Sequence, residues 1–200
     1  MGIIEEFIAS KSVGACFREA VSKKFDGKLK GLIVPHAGYV YSGRVAAAGY
    51  QLMKKGDYDR VMVIGFYHGG VEEHSVKVQI PLIRYVLGEE IEIEEKYVDK
   101  IIDLEVDGRM MVVASSDLSH YQPLMAAKIL DERTIGAVLN RDEEKICREA
   151  DACGIWPILT INRLALKYNW GPKLIDYRTS AEVTADESSV VGYGCIGYFE

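Results

Sequence analysis

Short apolar runs alternate with amphipathic stretches along the sequence, a pattern typical of an α/β layer fold. Runs rich in β-branched residues predict strands, whereas apolar residues that recur every three or four positions predict helices. The predicted strands are 29–34, 60–65, 110–114, 173–177 and 190–199. The predicted helices are 13–25, 44–55, 72–87, 95–105, 124–139, 142–150 and 155–168, with Pro81 bending or restarting the third of them.

No repeat, linker or low-complexity segment interrupts this pattern, so we expect one domain over residues 1–200. The apolar share of 48% and the charged share of 27% are ordinary for a globular protein. A net charge of −6 argues against nucleic acid or an anionic membrane as a partner. The sequence has no signal-peptide pattern, no apolar run of about 18 residues and no C-x-x-C pair, so we expect a cytoplasmic protein with free thiols.

Three of the four histidines directly follow predicted strands. These residues are His36, His68 and His120. Ligands of α/β sheets bind at the carboxyl ends of the strands, so three imidazoles are expected at one edge of the sheet. Taken alone, His36 is equally consistent with a turn packed with aromatic residues that holds a satisfied histidine. His68 taken alone is more typical of a surface histidine in a glycine-rich turn.

A polar loop, Ser115-Ser-Asp-Leu-Ser-His120, follows the third strand. One helical turn would place Asp117 and His120 on the same face, where a carboxylate fixes the tautomer of an imidazole. The alternative is that Asp117 or Ser119 caps the following helix.

Cys153 stands at the start of an apolar helix, where the helix dipole favours a thiolate. It is either a soft ligand or nucleophile, or a buried structural thiol. His74 either faces the pocket or is exposed on a helix. The other three cysteines lie in helix-like or strand-like patterns and are expected in the core; they are Cys16, Cys147 and Cys195.

Four segments, in this order, resemble the signature of the MEMO family, also called AmmeMemoRadiSam system protein B. They are Pro35-His-Ala-Gly-Tyr-Val-Tyr-Ser-Gly43, Glu73-His-Ser75, Ala114-Ser-Ser-Asp-Leu-Ser-His-Tyr121 and Cys153-Gly154. The resemblance implies a fold like that of class III extradiol dioxygenases, with a central mixed sheet flanked by helices on both faces. The stretch between about residues 68 and 74 is shorter than in the family, which would leave a more open pocket.

The resemblance also implies a metal site. His36, His68 and Cys153 match the family's metal ligands, which are associated with iron or copper. His120, Asp117 and His74 would then line the pocket as catalytic residues. By family association, a radical SAM protein and an AMMECR-type protein are the expected protein partners.

Three functions follow as hypotheses from these residues. Two imidazoles and a thiolate suit iron, copper or zinc, so the first is a metal-dependent oxidoreductase of unknown substrate. The second is a non-catalytic module that binds a peptide or small molecule in the same pocket. The third is a zinc-dependent hydrolase in which Asp117 or His120 is the base.

Overall fold

The computed structural model describes residues 2–69 and 73–200. Within these ranges, seven strands form one mixed sheet in the order β3-β2-β4-β1-β7, with β5 and β6 both paired to β7. The strands are β1 (Leu29–Val34), β2 (Arg60–Gly65), β3 (Glu92–Tyr97), β4 (Met110–Ser115), β5 (His120–Gln122), β6 (Gly171–Thr179) and β7 (Val190–Phe199). Strands β1 to β4 are parallel where they pair, whereas β7 runs antiparallel to β1, β5 and β6.

Helices cover both faces of this sheet, as expected. They are α1 (Ile3–Ala9), α2 (Val13–Glu19), α3 (Arg44–Tyr50), α4 (Ile80–Leu87), α5 (Leu124–Leu139), α6 (Glu143–Glu149), α7 (Ile155–Lys167) and α8 (Ala181–Thr184). A π-helix (Tyr39–Gly43) precedes α3, and a 3₁₀ turn (Lys77–Gln79) precedes α4.

Side-chain alternation along the central strands builds a core on each face. In β2, Val61 and Val63 pack with α2, α3 and α4, whereas Met62 and Ile64 pack with α5, α6 and α7. Because both faces of these strands are buried, their sequences are nearly continuous apolar runs. This explains why the central strands were predictable from the sequence.

The strands predicted at 29–34, 60–65 and 110–114 and the helix at 124–139 are confirmed. The helix predicted at 95–105 is wrong, because Glu92–Tyr97 forms β3 in parallel register with β2, and residues 98–108 form no helix or strand. The ladder of backbone hydrogen bonds outweighs the helix preference of the glutamates and lysine in this segment.

Three other helices are shorter than predicted. The helix expected at 13–25 ends at Glu19, where Ala20 turns to an extended conformation, and the one expected at 44–55 ends at Tyr50. The helix expected from residue 72 begins as α-helix only at Ile80, with Pro81 in its first turn, where proline costs no hydrogen bond. Residues 70–72, which carry part of the shortened stretch, lie outside the described residues.

In the ranges that the structure describes, none of the helices combines the length and apolar character that crossing a bilayer requires.

Candidate metal centre

The four histidines of the chain line one cavity at the carboxyl edge of the parallel strands. This cavity, the histidine cavity, has a volume of about 310 Å³. Its lining consists of Phe7, His36, Ala37, His68, His74, Asp117, His120, Tyr121, Val191 and Tyr193. The ring centroids of His36, His68 and His74 are 5.1 to 5.3 Å apart. The expected convergence of imidazoles at one edge of the sheet is therefore present.

His36 is held rigidly at the end of β1. Pro35 separates it from the strand, and the side chain is 2% exposed. Its backbone N–H donates to Oδ1 of Asp117 (2.8 Å), which ties the β1 loop to the loop after β4. Burial lowers the pKa of His36 well below its usual value, and the nearby His74 and His68 lower it further. The ring is therefore neutral at physiological pH and has a free lone pair.

A hydrogen-bond relay decides which ring nitrogen of His36 carries that lone pair. The Ser115 hydroxyl donates to the Ser75 carbonyl (2.6 Å), so its hydrogen is used. Its oxygen accepts from Nε2 of Gln79 (2.8 Å) and lies 3.1 Å from Nδ1 of His36. Nδ1 must then be the protonated nitrogen, which leaves Nε2 as the acceptor.

The orientation of Gln79 is fixed as well. Its Nε2 donates to the Pro35 carbonyl (2.9 Å), and its Oε1 accepts from the Tyr50 hydroxyl (2.9 Å). The buried chain from Tyr50 through Gln79 to Ser115 thus sets the tautomer that a metal ligand needs.

Replacing Ser115 with alanine should weaken metal binding roughly 10- to 100-fold, because His36 loses its tautomer-fixing partner. Buried donors on Gln79 and His36 would also lose their acceptor, which should cost about 1–3 kcal/mol of unfolding free energy. Competitive metal titration and urea unfolding measure the two effects, with Ser189→Ala at an exposed position as the control. A metal affinity within twofold of wild type would contradict the role of the relay.

His68 follows β2 and is oriented by Glu73. The backbone N–H of His68 donates to Oε2 of Glu73 (2.7 Å), and Nδ1 lies 3.1 Å from Oε1. The Ser75 N–H also donates to Glu73 (2.8 Å). A carboxylate on Nδ1 is the usual partner of a metal-binding imidazole, since it leaves Nε2 available.

Glu73 was not among the predicted site residues, although it begins the Glu73-His-Ser75 segment. Burial alone would raise its pKa, but hydrogen bonds from the N–H groups of His68 and Ser75 lower the pKa to about 2. The side chain is therefore a carboxylate at any physiological pH. In the sequence, the position of Glu73 five residues after His68 was the one indication that the two residues interact. The fold shows that their side chains are in contact.

Glu73→Gln should lower metal affinity roughly 10- to 100-fold, because the amide cannot accept from His68 and Ser75 as the carboxylate does. Competitive titration with a chromophoric chelator measures the change. Glu95→Gln, which removes a carboxylate that pairs with Lys77 near the surface, is the matched control and should leave affinity unchanged. Equal affinities for the two variants would show that Glu73 does not support the site.

Cys153 lies two residues before α7, beside the loop that follows β4. Its Sγ is 3.3 Å from Nε2 of His36 and accepts from the Asp117 N–H at 3.3 Å. The Gly154 N–H donates to the Ser116 hydroxyl (2.9 Å), which donates in turn to the Asp117 carbonyl (2.8 Å). These contacts hold the two loops together and direct the sulfur at His36.

The sequence left open whether Cys153 is a soft ligand or nucleophile, or a buried structural thiol. Burial and the Asp117 carboxylate raise the pKa of the thiol to about 12. The side chain is thus a thiol at neutral pH unless a cation stabilises the thiolate.

Ligand atoms of His36, His68 and Cys153 all lie within 4.8 Å of one another. Bonds of about 2.0 Å to nitrogen and 2.3 Å to sulfur place two such ligands about 3.5 Å apart at a tetrahedral angle. The 3.3 Å separation of Nε2 and Sγ agrees with that spacing. The donor set therefore fits a single metal ion. Ligand atoms of His68, Glu73 and His74 form a second group within the same limit.

The predicted pairing of Asp117 with His120 on one helical turn is wrong. His120 belongs to β5, and Oδ1 of Asp117 accepts from the His36 backbone instead. The capping alternative is also wrong, since Pro123 is the N-cap of α5. His120 still lines the histidine cavity.

His74 faces the same cavity and packs edge-on against the Phe7 ring, with centroids 4.9 Å apart. Burial lowers its pKa, as does the neighbouring His68. The alternative of an exposed helical histidine is therefore wrong. Cys16 and Cys195 are buried as predicted, but Cys147 is exposed, contrary to expectation.

Comparisons with a family model and with individual proteins both identify the same family. Residues 8–76 and 69–196 match the family model described as Memo-like protein. A MEMO1 family protein of Sulfurisphaera tokodaii is 30% identical over 226 aligned residues, which cover 80% of each chain. One from Methanococcoides burtonii is 31% identical over 229 aligned residues, covering 83% of this chain and 85% of the relative.

Proposed function

The chain belongs to the Memo-like family. We propose that His36, His68 and Cys153 of this chain bind one redox-active metal ion. The protein would then be an oxidoreductase that acts on a small organic substrate. The observation that carries the proposal is the approach of Nε2 of His36 to Sγ of Cys153 at 3.3 Å, with a ligand atom of His68 within 4.8 Å of both.

The donor set favours iron or copper, with zinc as the alternative. Two imidazoles and one thiolate are softer than the oxygen ligands that magnesium and calcium prefer. Bound iron or copper would supply electron transfer and Lewis acidity at this edge of the sheet. Three protein ligands leave room for a further ligand, as in catalytic rather than structural sites.

Side chains of this chain next to the proposed metal site are placed for proton transfer. We assign the transfer of a proton to His120, which lines the histidine cavity together with His36 and His68. Asp117 has a different role, since its carboxylate accepts from the His36 backbone and holds the loop. His74, whose pKa is lowered by burial, is a further imidazole in the histidine cavity and packs against the Phe7 ring.

Anaerobic titration with Fe²⁺, Cu²⁺ and Zn²⁺ tests the proposal. One equivalent of iron or copper should bind at micromolar concentration or below, and should then change oxidation state reversibly with ascorbate and ferricyanide. The zinc form is the redox-inert control. Failure of every metal to bind at micromolar concentration would instead favour the binding module.

The hydrolase is separated by a second readout on the same samples. If only the zinc form is stable, and it hydrolyses model esters in a chelator-sensitive manner, the oxidoreductase assignment is contradicted. Nothing in the hydrogen bonds around Asp117 favours a general base there, because its Oδ1 is already occupied.

A further inference from the structure

A second cavity, of about 340 Å³, is lined in part by Cys153, which is not among the residues that line the histidine cavity. Its walls are Phe66, Cys147, Cys153, Ile155 and Trp156. Three of these residues have hydrocarbon or indole side chains and the other two are cysteines, whereas the histidine cavity is lined by four imidazoles and a carboxyl group. We call it the apolar cavity.

The apolar cavity is built from the same elements as the metal ligands. Phe66 follows β2 two residues before His68, and its ring contacts the His68 ring with centroids 5.5 Å apart. Ile155 and Trp156 form the first turn of α7, directly after Cys153 and Gly154. The three candidate metal ligands are therefore shared between the two linings: His36 and His68 line the histidine cavity, and Cys153 lines the apolar cavity.

The size and lining of the apolar cavity indicate its occupant. Small-molecule sites typically measure ~300–1,000 Å³ and are mostly apolar, with a few polar groups at one end. A cavity of about 150 Å³ suffices to bind benzene, so 340 Å³ holds a ring with substituents. Hydroxyl or charged groups against these walls would lose hydrogen bonds to water without replacement.

Resting on the proposed function, we propose that the apolar cavity binds the apolar part of the substrate. The substrate class is a small organic molecule with a ring or branched hydrocarbon group against Phe66 and Trp156. Its polar end lies toward the proposed metal site, since the imidazoles line the histidine cavity and not this one. We expect sugars and phosphate esters to bind poorly here, because the lining offers them few hydrogen-bond partners.

Saturation-transfer NMR with cyclohexanol and myo-inositol tests this proposal. Both probes present a six-membered carbon ring, but the second carries a hydroxyl on every carbon. Cyclohexanol should bind the wild-type protein at least tenfold more tightly than myo-inositol. Equal binding of the two probes would overturn the proposal.

Two variants locate the binding. Cys147→Trp should fill the apolar cavity from an exposed wall position and weaken cyclohexanol binding at least tenfold. Leu166→Trp adds the same indole to α7 at a position that is 48% exposed, and should leave binding unchanged. Should Cys147→Trp not fold, Trp156→Ala removes a wall instead and should weaken binding as well. Undiminished binding to the folded variants would overturn the proposal.

Metal content, measured on the same samples, separates this proposal from the one on which it rests. If the protein retains no metal but binds cyclohexanol, and Cys147→Trp abolishes this binding, the metal site is overturned. The apolar cavity then remains as a ligand site. Retained metal with cyclohexanol binding that is insensitive to Cys147→Trp would overturn the apolar cavity alone.

Discussion

The variant that carries both His36→Ala and Cys153→Ala is expected to retain less than about a tenth of the wild-type metal content after purification. Both substitutions remove donor atoms that lie 3.3 Å apart, so His68 is the one member of the group of His36, His68 and Cys153 that remains. The neighbouring group of His68, Glu73 and His74 is a poor substitute, because the Glu73 carboxylate is already engaged by hydrogen bonds from His68 and Ser75. Elemental analysis of iron, copper and zinc per chain measures the loss.

The control for this prediction is Cys147→Ala, which removes a thiol from α6 that is not part of the ligand group. It should leave metal content at the wild-type level. Thermal unfolding followed by circular dichroism shows whether the double variant keeps its fold. Unchanged iron or copper in a folded double variant would remove these residues as ligands.

Gly154→Ala is expected to disrupt the site without touching any ligand atom. A Cβ at this position would lie 2.6 Å from the Ser115 carbonyl oxygen and 2.7 Å from Cβ of Ser116. The carbonyl belongs to the end of β4 and cannot move, so the Cys153–Gly154 loop must shift instead. Overpacking of this kind costs about 1–3 kcal/mol of unfolding free energy. The shift should also take the sulfur away from His36 and release the metal.

A second glycine serves as the control for this prediction. Gly136 lies in the last turn of α5, and a Cβ there would have no heavy atom within 4 Å. Gly136→Ala should therefore stabilise the protein by about 0.5–1 kcal/mol through helix propensity and leave metal content unchanged. Urea unfolding of the Gly154→Ala and Gly136→Ala variants measures the opposite changes expected in their unfolding free energies. Elemental analysis measures the metal content of each variant. If Gly154→Ala unfolds at the wild-type urea concentration and keeps its metal, the close approach of the two loops is not required.

The sequence was informative where one physical effect dominates. Central strands such as the one that contains Val61–Ile64 are buried on both faces, so a run of hydrophobic residues is enough to predict them from the sequence. The parallel direction of β1, β2 and β4 follows from the α/β pattern, and with it the convergence of His36 and His68 at one edge. Family resemblance added Cys153 to this pair.

What escaped prediction depends on contacts between distant segments. The strand at Glu92–Tyr97 has charged residues that favour a helix, and only its pairing with β2 makes it a strand. The hydroxyl of Ser115 gained its role from Gln79 and Ser75, which no spacing along the chain connects to it. Residue patterns thus located the site, but they could not supply the hydrogen bonds that orient its ligands. The radical SAM and AMMECR-type partners stay predictions.

X-ray absorption spectroscopy of the iron- or copper-loaded protein shows whether Cys153 is a metal ligand, because it counts the sulfur and nitrogen neighbours of the metal. We predict one sulfur at about 2.3 Å and imidazole nitrogens at about 2.0–2.1 Å, with the sulfur signal lost in Cys153→Ser. A metal surrounded only by nitrogen and oxygen in the wild-type protein would contradict this prediction.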